Sequence, residues 1–296
     1  MESLTNADAG DWLRPLLDTE WHDMHAVVPR GFPAYARIFH PVGRDRPADT
    51  GTWHGHDRTD VFPLQTEEAS WCAVARAFGT EMHPLAQFHR VLGQASNGQE
   101  IMDAEGWRYS EPLTGNLAPE ILAAATVHLC EHTSTPEQGV SAIWEGWGGL
   151  ASSAGYAQLT FSGDGIHVEN TVAAAVLGSG PGSGLLPASV VNGGTPDLPG
   201  RAYYLFNAAP QFYLNSDWVN HVPWHHSPEW PQSPNILWPA DRKWVLVTEI
   251  DFDSTVVAGS PELISALVRD PIIEALPLRE GADLTWDADA FNRPAK

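Results

Sequence analysis

Basic residues are scarce in this chain of 296 residues. Lys and Arg together number 16 against 37 Asp and Glu, and the only lysines are Lys243 and Lys296. The resulting net charge of −21 repels phosphate backbones, so we expect no direct binding to nucleic acid. A basic protein partner or a cation would be attracted instead. General solubility is the simpler explanation of the same charge.

Cysteines and long apolar runs are also rare. Cys72 and Cys130 are the only cysteines, which argues against a disulfide scaffold and favours a reducing compartment. No run approaches 18 apolar residues, so we expect no membrane span. The acidic start of the sequence lacks the charge pattern and apolar core of a signal peptide. We therefore predict a cytoplasmic protein.

The motifs of several large enzyme classes are missing. The sequence has no glycine-rich phosphate fingerprint, no Walker-type loop and no Gly-x-Ser-x-Gly motif. The glycine-rich stretch 178–184 places Gly180, not a serine, at the centre of its first such frame. Neither cysteine lies in a recognisable reactive context. We therefore predict no cofactor.

The chain does have enough apolar residues, 43% of the total, to form a sizeable core. Periodicity predicts strands over 34–39, 140–145 and 201–206, helices beginning near Thr66, Pro119 and Pro261, and a long loop over 43–60. We predict an α+β fold, with a mixed or mainly antiparallel sheet, several helices packed on it and long Gly/Pro/Trp-rich loops. A single domain over 1–296 is expected, and a sub-structure boundary near 178–200 is the alternative.

The most informative segment is 233–260. At period two, one face of residues 244–253 is apolar, and the other changes from valine to three carboxylates, Glu249, Asp251 and Asp253. The pattern predicts one long strand that ends in a carboxylate ladder. Cα atoms two residues apart in a strand are separated by about 6.6–6.8 Å, too widely for one metal ion unless the strand bends. Pairing with Arg242 or other arginines is the simpler way to satisfy the ladder.

A histidine-containing segment is the candidate metal site. His54, His56 and Asp57 are ligand types that suit zinc. The segment is similar to the His-x-His-x-Asp-His motif of the metallo-β-lactamase superfamily, but Arg58 replaces the required Asp and Thr59 replaces the last His. Binuclear hydrolase chemistry is therefore unsupported. A polar loop is the alternative interpretation.

Tryptophan is abundant, with 13 residues, and several lie beside acids or glycines. Indole rings near carboxylates can stack on sugars or hold cations. We therefore take as candidate ligand-binding residues Trp144, Trp147, Trp238 and Arg242. The candidate catalytic carboxylates are Glu145, Glu249, Asp251 and Asp253. A purely structural role for the tryptophans is the alternative.

Three blocks carry a family resemblance. They are VPRGFPAYAR at 28–37, IWEGWG at 143–148, and the segment 233–260 with its core LWPADR. In this order they resemble a group of actinobacterial conserved hypothetical proteins. The resemblance implies a bacterial cytoplasmic protein in which the N- and C-terminal blocks belong to one unit. It implies no catalytic residue.

Three functional classes remain open at this point. The first is a protein that binds a basic protein or a small polar ligand through an acidic, Trp-lined surface. The second is a metal-assisted or carboxylate-based hydrolase, in which burial separates the pKa values of paired acids. The third is an assembly subunit. The first two require the carboxylate ladder and indole rings to share a concavity.

Overall fold

The computed structural model describes residues 1–56, 61–93, 101–151, 160–162, 165–167, 184–196, 198–224 and 232–293. Its strands are β1 (Glu2–Ser3), β2 (Ala34–Phe39), β3 (Val42–Pro47), β4 (Leu64–Ala69), β5 (Ile101–Met102), β6 (Arg108–Tyr109), β7 (Gly139–Trp144), β8 (Thr160–Ser162), β9 (Gly165–His167), β10 (Tyr203–Asn207), β11 (Ile236–Pro239), β12 (Val245–Val247), β13 (Ser254–Gly259) and β14 (Ala275–Leu278). Its α-helices are α1 (Trp71–Phe78), α2 (Phe88–Val91), α3 (Pro119–Glu131), α4 (Ala188–Val191) and α5 (Pro261–Arg269).

Two antiparallel sheets dominate the architecture. The larger has eight strands in the order β1-β10-β7-β11-β12-β13-β2-β14, and the smaller has four in the order β4-β3-β6-β5. Strands β8 and β9 form a separate pair. The predicted α+β class with a mainly antiparallel sheet is therefore confirmed. The single-domain organisation stays a prediction, although β7 and β10, from either side of residues 178–200, are paired.

Both faces of the larger sheet are covered by apolar residues. In β12, Leu246 packs into a cluster that includes side chains of α3 and α5. Val245 and Val247 point the other way, into a cluster that includes Leu13 and Met24 of the N-terminal segment. Each fully buried side chain of this kind contributes roughly 1.5–3 kcal/mol to folding. A third cluster joins α1 to the smaller sheet.

The helices α3 and α5 begin at the prolines that predicted them. Pro119 and Pro261 occupy first-turn positions, where the missing N–H has no intrahelical partner to lose. Ser260 caps α5, because its hydroxyl accepts from the Leu263 amide at 3.2 Å. None of the described helices combines the length and apolar character needed to span a membrane.

Two predicted boundaries near the smaller sheet were wrong. Residues 43–47 belong to β3, not to a long loop, and Thr66 lies in β4, not at a helix start. Pairing of β3 with β4 explains both, because Arg44 and Glu67 lie opposite each other and are ion-paired. Helix α1 begins later, after Ser70, whose hydroxyl accepts from the Ala73 amide at 3.1 Å.

The predicted long strand over 244–253 was also wrong. Strand β12 ends at Val247, and residues 248–253 form the connection to β13. The hydroxyl groups of Thr248 and Thr255 are hydrogen-bonded at 2.8 Å where this connection leaves the two strands. A turn follows, closed by the Phe252 amide donating to the Glu249 carbonyl at 3.0 Å. The carboxylate ladder therefore lies in a turn.

Candidate functional site

A cavity of about 380 Å³ lies beside the connection between β12 and β13. It is lined by five parts of the chain that are far apart in sequence. They are residue 37 of β2, residues 87–89 at the start of α2, residues 111, 112 and 114 after β6, residues 251–253, and residues 284–286. The cavity thus forms where the larger sheet, α2 and the C-terminal segment meet.

The connection is held in place by the loop after β6. The Gly115 amide donates to the Phe252 carbonyl at 2.8 Å. A Cβ atom at Gly115 would lie 2.7 Å from the Ile250 Cα, and the residue has a φ of +67°. Glycine permits both the close approach and the left-handed backbone. This contact orients Asp251 and Asp253 along the cavity.

The carboxylate ladder is paired with arginines. Arg201 Nη2 donates to Glu249 Oε1 at 2.8 Å and to Asp251 Oδ2 at 2.5 Å. Arg37 Nη2 donates to Asp253 Oδ1 at 3.2 Å. Pairing with arginine is therefore observed, with these partners. Arg242 instead lies over the Trp12 ring, 4.8 Å from its centroid.

Arg37 is buried and holds Asp253 at the cavity wall. Its Nε donates to Ser254 Oγ at 2.8 Å, and its Nη1 donates to the carbonyls of Pro84 and Ala86 at 3.2 and 2.8 Å. The side chain is only 2% exposed, against 20% for Asp253. The guanidinium is therefore already engaged, and it fixes the position of one carboxylate oxygen.

Burial raises the pKa of two acids in the ladder. For Asp253, desolvation outweighs the opposing effects of Arg37, and the nearby Glu111 carboxylate raises the pKa further. For Glu249, desolvation likewise outweighs the effect of Arg201. Asp253 is the one of these two that lines the cavity. It can therefore carry or donate a proton there more readily than an exposed aspartate.

Gln87 contributes an unpaired donor. The residue is 6% exposed and lines the cavity, yet its Nε2 atom has no hydrogen-bond partner among the described residues. Its backbone amide is satisfied by Asp289 Oδ2 at 3.2 Å. Buried polar groups are nearly always paired, because an unpaired one costs about 1–3 kcal/mol. A ligand acceptor in the cavity would relieve this cost.

An aromatic pair forms another part of the wall. The His89 ring stacks on the Trp286 indole, with centroids 3.5 Å apart and planes 2° from parallel. Trp286 is 64% exposed, although a large apolar ring is costly to leave in water. Burial, with a contribution from Arg90, lowers the pKa of His89 and favours its neutral form.

Sequence reasoning found part of this site. Asp251 and Asp253 were candidates, and the structure brings both to the cavity. Gln87 and Trp286 were missed, because no local pattern distinguishes them from ordinary loop and surface residues. Arg37 was not selected as a site residue, although it lies in the block 28–37 that the family resemblance places in one unit with segment 233–260. The signal for Trp286 is its place between Thr285 and Asp287, an acidic neighbour like that of Trp144, which precedes Glu145.

The chosen tryptophans and Glu145 lie elsewhere. Trp144 and Trp147 form an edge-to-face pair with centroids 5.7 Å apart, and Arg201 connects this pair to the ladder by lying 5.7 Å from the Trp144 centroid. Glu145 is exposed. Trp238 is buried in the core, where its ring meets Trp12 edge to face. The binding roles assigned to them stay predictions.

The candidate metal ligands are only partly described. His54 is exposed, and His56 Nε2 lies 3.0 Å from the Thr50 hydroxyl. Asp57 lies outside the described residues. Within the ranges that the structure describes, no group of three or more His, Cys, Asp or Glu side chains is arranged to hold a metal ion. The metal role of His54, His56 and Asp57 and the polar-loop alternative both stay predictions.

A larger, shallower depression of about 760 Å³ lies on the four-stranded sheet. Its arginines are already paired, Arg44 with Glu67 and Arg108 with Asp45. The Arg108 guanidinium also lies 4.1 Å from the centroid of Trp53. These contacts account for both arginines as sheet-stabilising pairs. We therefore place the candidate site in the smaller cavity, where the unpaired Gln87 amide lies.

Comparisons with protein-family models, curated proteins and solved structures found no match to this chain. The chemistry of the cavity is therefore the basis for assigning a function. Apolar and aromatic walls, a few convergent polar groups and a restricted volume are the usual features of a small-molecule site.

Proposed function

We propose that this protein binds a small polar ligand in the cavity beside the β12–β13 connection. A volume of about 380 Å³ is within the usual range for small-molecule sites. Phe88, Phe252 and Leu284 supply apolar contacts, and Asp251 and Asp253 supply polar ones. A concave site of this size favours a small ligand over a basic protein partner, which would need a broad surface.

The observation that carries this proposal is the unpaired Gln87 amide. Burying a donor without a partner costs free energy, and Gln87 Nε2 is such a donor in a residue that lines the cavity. Binding sites often retain such costs, since activity and stability place different demands on a residue. A ligand acceptor at Gln87 Nε2 would account for both its burial and its lack of a partner.

Gln87→Leu tests this observation directly. The substitution removes the unpaired donor and keeps the volume, so we expect it to leave the free energy of unfolding unchanged or raise it by about 1 kcal/mol. It should abolish ligand binding. The measurement is a thermal-shift series with sugars, polyols, amines and organic acids. At least one class should raise the wild-type Tm, because bound ligand increases the free energy of unfolding by RT ln(1 + [L]/Kd).

Gln138→Leu is the matched control, because Gln138 is exposed and lies outside the cavity lining. It should leave the ligand-induced shift intact. If Gln87→Leu destabilises the protein by several kcal/mol, the amide has a structural partner and the proposal loses its basis. An unchanged ligand response in Gln87→Leu would contradict it equally.

A carboxylate-based hydrolase is the second candidate function. Asp251 and Asp253 line one cavity, and burial raises the pKa of Asp253 alone among the lining acids whose shift is resolved. Two carboxylates in different environments can serve as acid and base. Hydrolysis of chromogenic glycosides or esters that is lost in both Asp251→Asn and Asp253→Asn would favour this candidate over binding alone.

The cellular location of the protein belongs to the same proposal. Cys72 and Cys130 are free thiols, which supports a reducing compartment and hence a cytoplasmic location. The actinobacterial resemblance is consistent with that location. The assembly-subunit hypothesis stays a prediction, and light scattering tests it: a strict monomer would argue against it.

A further inference from the structure

The side chains that line the cavity carry more negative than positive charge. Glu111, Asp251 and Asp253 contribute three carboxylates, whereas Arg37 contributes one guanidinium. His89 is held neutral by burial, which lowers its pKa. Arg201 donates a hydrogen bond to Asp251 but is not one of the residues that line the cavity. The cavity therefore keeps a negative field, which favours a cation.

Arg37 does not make the cavity an anion site. All three of its nitrogens already donate to protein oxygens, and the side chain is almost fully buried. An anionic ligand would meet the three carboxylates and find this guanidinium engaged. Phosphates and simple carboxylates are therefore poor candidates.

Glu111 and Asp253 argue most directly for a positively charged ligand. Both side chains line the same cavity, and the negative charge of Glu111 adds to the larger effect of burial in raising the pKa of Asp253. Arg37 satisfies Asp253 Oδ1, whereas Glu111 is exposed. A cation between the two side chains would replace their repulsion with two attractions.

The aromatic wall and the buried side-chain amide of Gln87 restrict the possible ligands further. Trp286, Phe88 and Phe252 line the same cavity, and aromatic rings attract organic cations through their quadrupoles. Gln87 Nε2 requires an acceptor. That acceptor must be neutral, because a second, negatively charged group on the ligand would be repelled by the carboxylates.

We infer that the ligand is a small organic cation, a protonated amine that also carries a neutral acceptor such as a hydroxyl group. This inference rests on the proposed function, because it specifies the ligand of the same cavity. The ammonium lies between Glu111 and Asp253 and near the Trp286 ring, and the hydroxyl accepts from Gln87. Amino alcohols and amino sugars have this chemistry and suit a cavity of about 380 Å³.

Calorimetric titration with matched compounds tests the inference. The pairs are ethanolamine with ethylene glycol and glucosamine with glucose, and glucose 6-phosphate is the anion, all at low ionic strength. We expect the amine of each pair to bind about tenfold more tightly than its neutral analogue, since only the amine gains the ion pairs. Added salt should reduce that difference.

Two carboxylate variants locate the effect. Glu111→Gln should weaken amine binding roughly threefold to fivefold, as expected for an exposed ion pair. Glu137→Gln changes an exposed carboxylate outside the cavity lining and should leave the affinity unchanged. Neutral analogues should bind both variants equally well.

The outcomes separate the two proposals. Equal affinity for amine and neutral analogue, with both lost in Gln87→Leu, would overturn the cationic ligand and retain a polar-ligand site. Preferential binding of glucose 6-phosphate that Gln87→Leu abolishes would have the same meaning. If no amine, neutral compound or anion binds, both the inference and the proposed function are wrong.

Discussion

His40 shows at the residue scale how burial fixes a protonation state. Its Nδ1 lies 2.6 Å from the Leu113 carbonyl, which only accepts, so the proton is on Nδ1. Its Nε2 then accepts from the Thr255 hydroxyl at 2.9 Å. Burial lowers the pKa of His40 to about 4, because a charged ring would lose its hydration.

This pKa predicts a pH dependence of stability. An unfolded histidine binds a proton near pH 6.5, whereas folded His40 does so only near pH 4, so its contribution is complete above pH 6.5 and is lost as the pH falls toward 4. Between pH 7 and pH 5 the loss is about 2 kcal/mol. Urea unfolding of wild type and His40→Gln should therefore give a stability difference that shrinks by that amount at pH 5.

The comparison between variants isolates His40 from the buried acids. Asp253 and Glu249 have raised pKa values, which favour folding as the pH falls, but both are present in each protein. His22→Gln is the control, because His22 is exposed and contacts Glu20 at the surface. A difference between wild type and His40→Gln that is equal at both pH values would contradict the prediction.

At the element scale, the β12–β13 connection combines a buried and an exposed ion pair. Asp253 neutralises Arg37, whose side chain is 2% exposed. Asp251 pairs with Arg201 at the surface and is 72% exposed. The two aspartates are separated by one residue, so they form a matched pair for measuring how burial changes the contribution of an ion pair to the free energy of unfolding.

Asp253→Asn should destabilise the protein by about 3 kcal/mol, because it leaves the buried Arg37 charge without its counterion. Asp251→Asn should cost less than about 1 kcal/mol, as exposed pairs do. Chemical unfolding at pH 7 measures both values. Equal costs would show that Arg37 is neutralised by groups other than Asp253.

The same connection shows how far sequence predicts structure. Alternation correctly identified strand residues up to Val247, and prolines and caps correctly placed α3 and α5. The prediction failed beyond Val247 because Thr248 is buried and Phe252 is partly buried in the connection, so their spacing matches the period of a strand although no strand forms there. Local periodicity does not encode the Thr248–Thr255 hydrogen bond that closes the hairpin.

At the scale of the whole molecule, the cavity depends on the C-terminal segment being held against α2. Asp289 is fully buried and accepts from His83 Nε2 at 2.9 Å, from the backbone N–H of Gln87 at 3.2 Å and from the backbone N–H of Asn292 at 2.9 Å. Burial acts to raise the pKa of Asp289, but hydrogen bonds from Asn292, His83 and Gln87 outweigh it and lower the pKa. Such contacts between distant segments explain why Arg37, Gln87 and Trp286 could not be predicted together.

Asp289→Asn should therefore loosen the segment that carries Trp286. Charge-assisted hydrogen bonds are worth about 1.5–3 kcal/mol, so we expect faster hydrogen exchange at the amides of Phe291 and Asn292, which donate to Asp289. Stability from Asp289 should be lost only as the pH falls below about 4, toward its lowered folded pKa.

Asp287→Asn is the control for that experiment, because Asp287 is 74% exposed in its pair with Arg90. It should change neither the exchange rates nor the stability by a measurable amount. Unaltered exchange in Asp289→Asn would mean that the segment is held by other contacts, such as the hydrogen bonds between Asn292 and Glu81.

The order of strands in the larger sheet also bears on how the protein behaves when crowded. One edge strand is β1, which has two residues, and the other is β14, in which Pro277 has no N–H to donate. Central strands such as β13 are rich in β-forming valine. A long unpaired edge strand beside them would let other copies of the chain extend the sheet into fibrils. Edge strands that are short or contain proline offer an incoming strand few hydrogen bonds, and they therefore disfavour fibril growth.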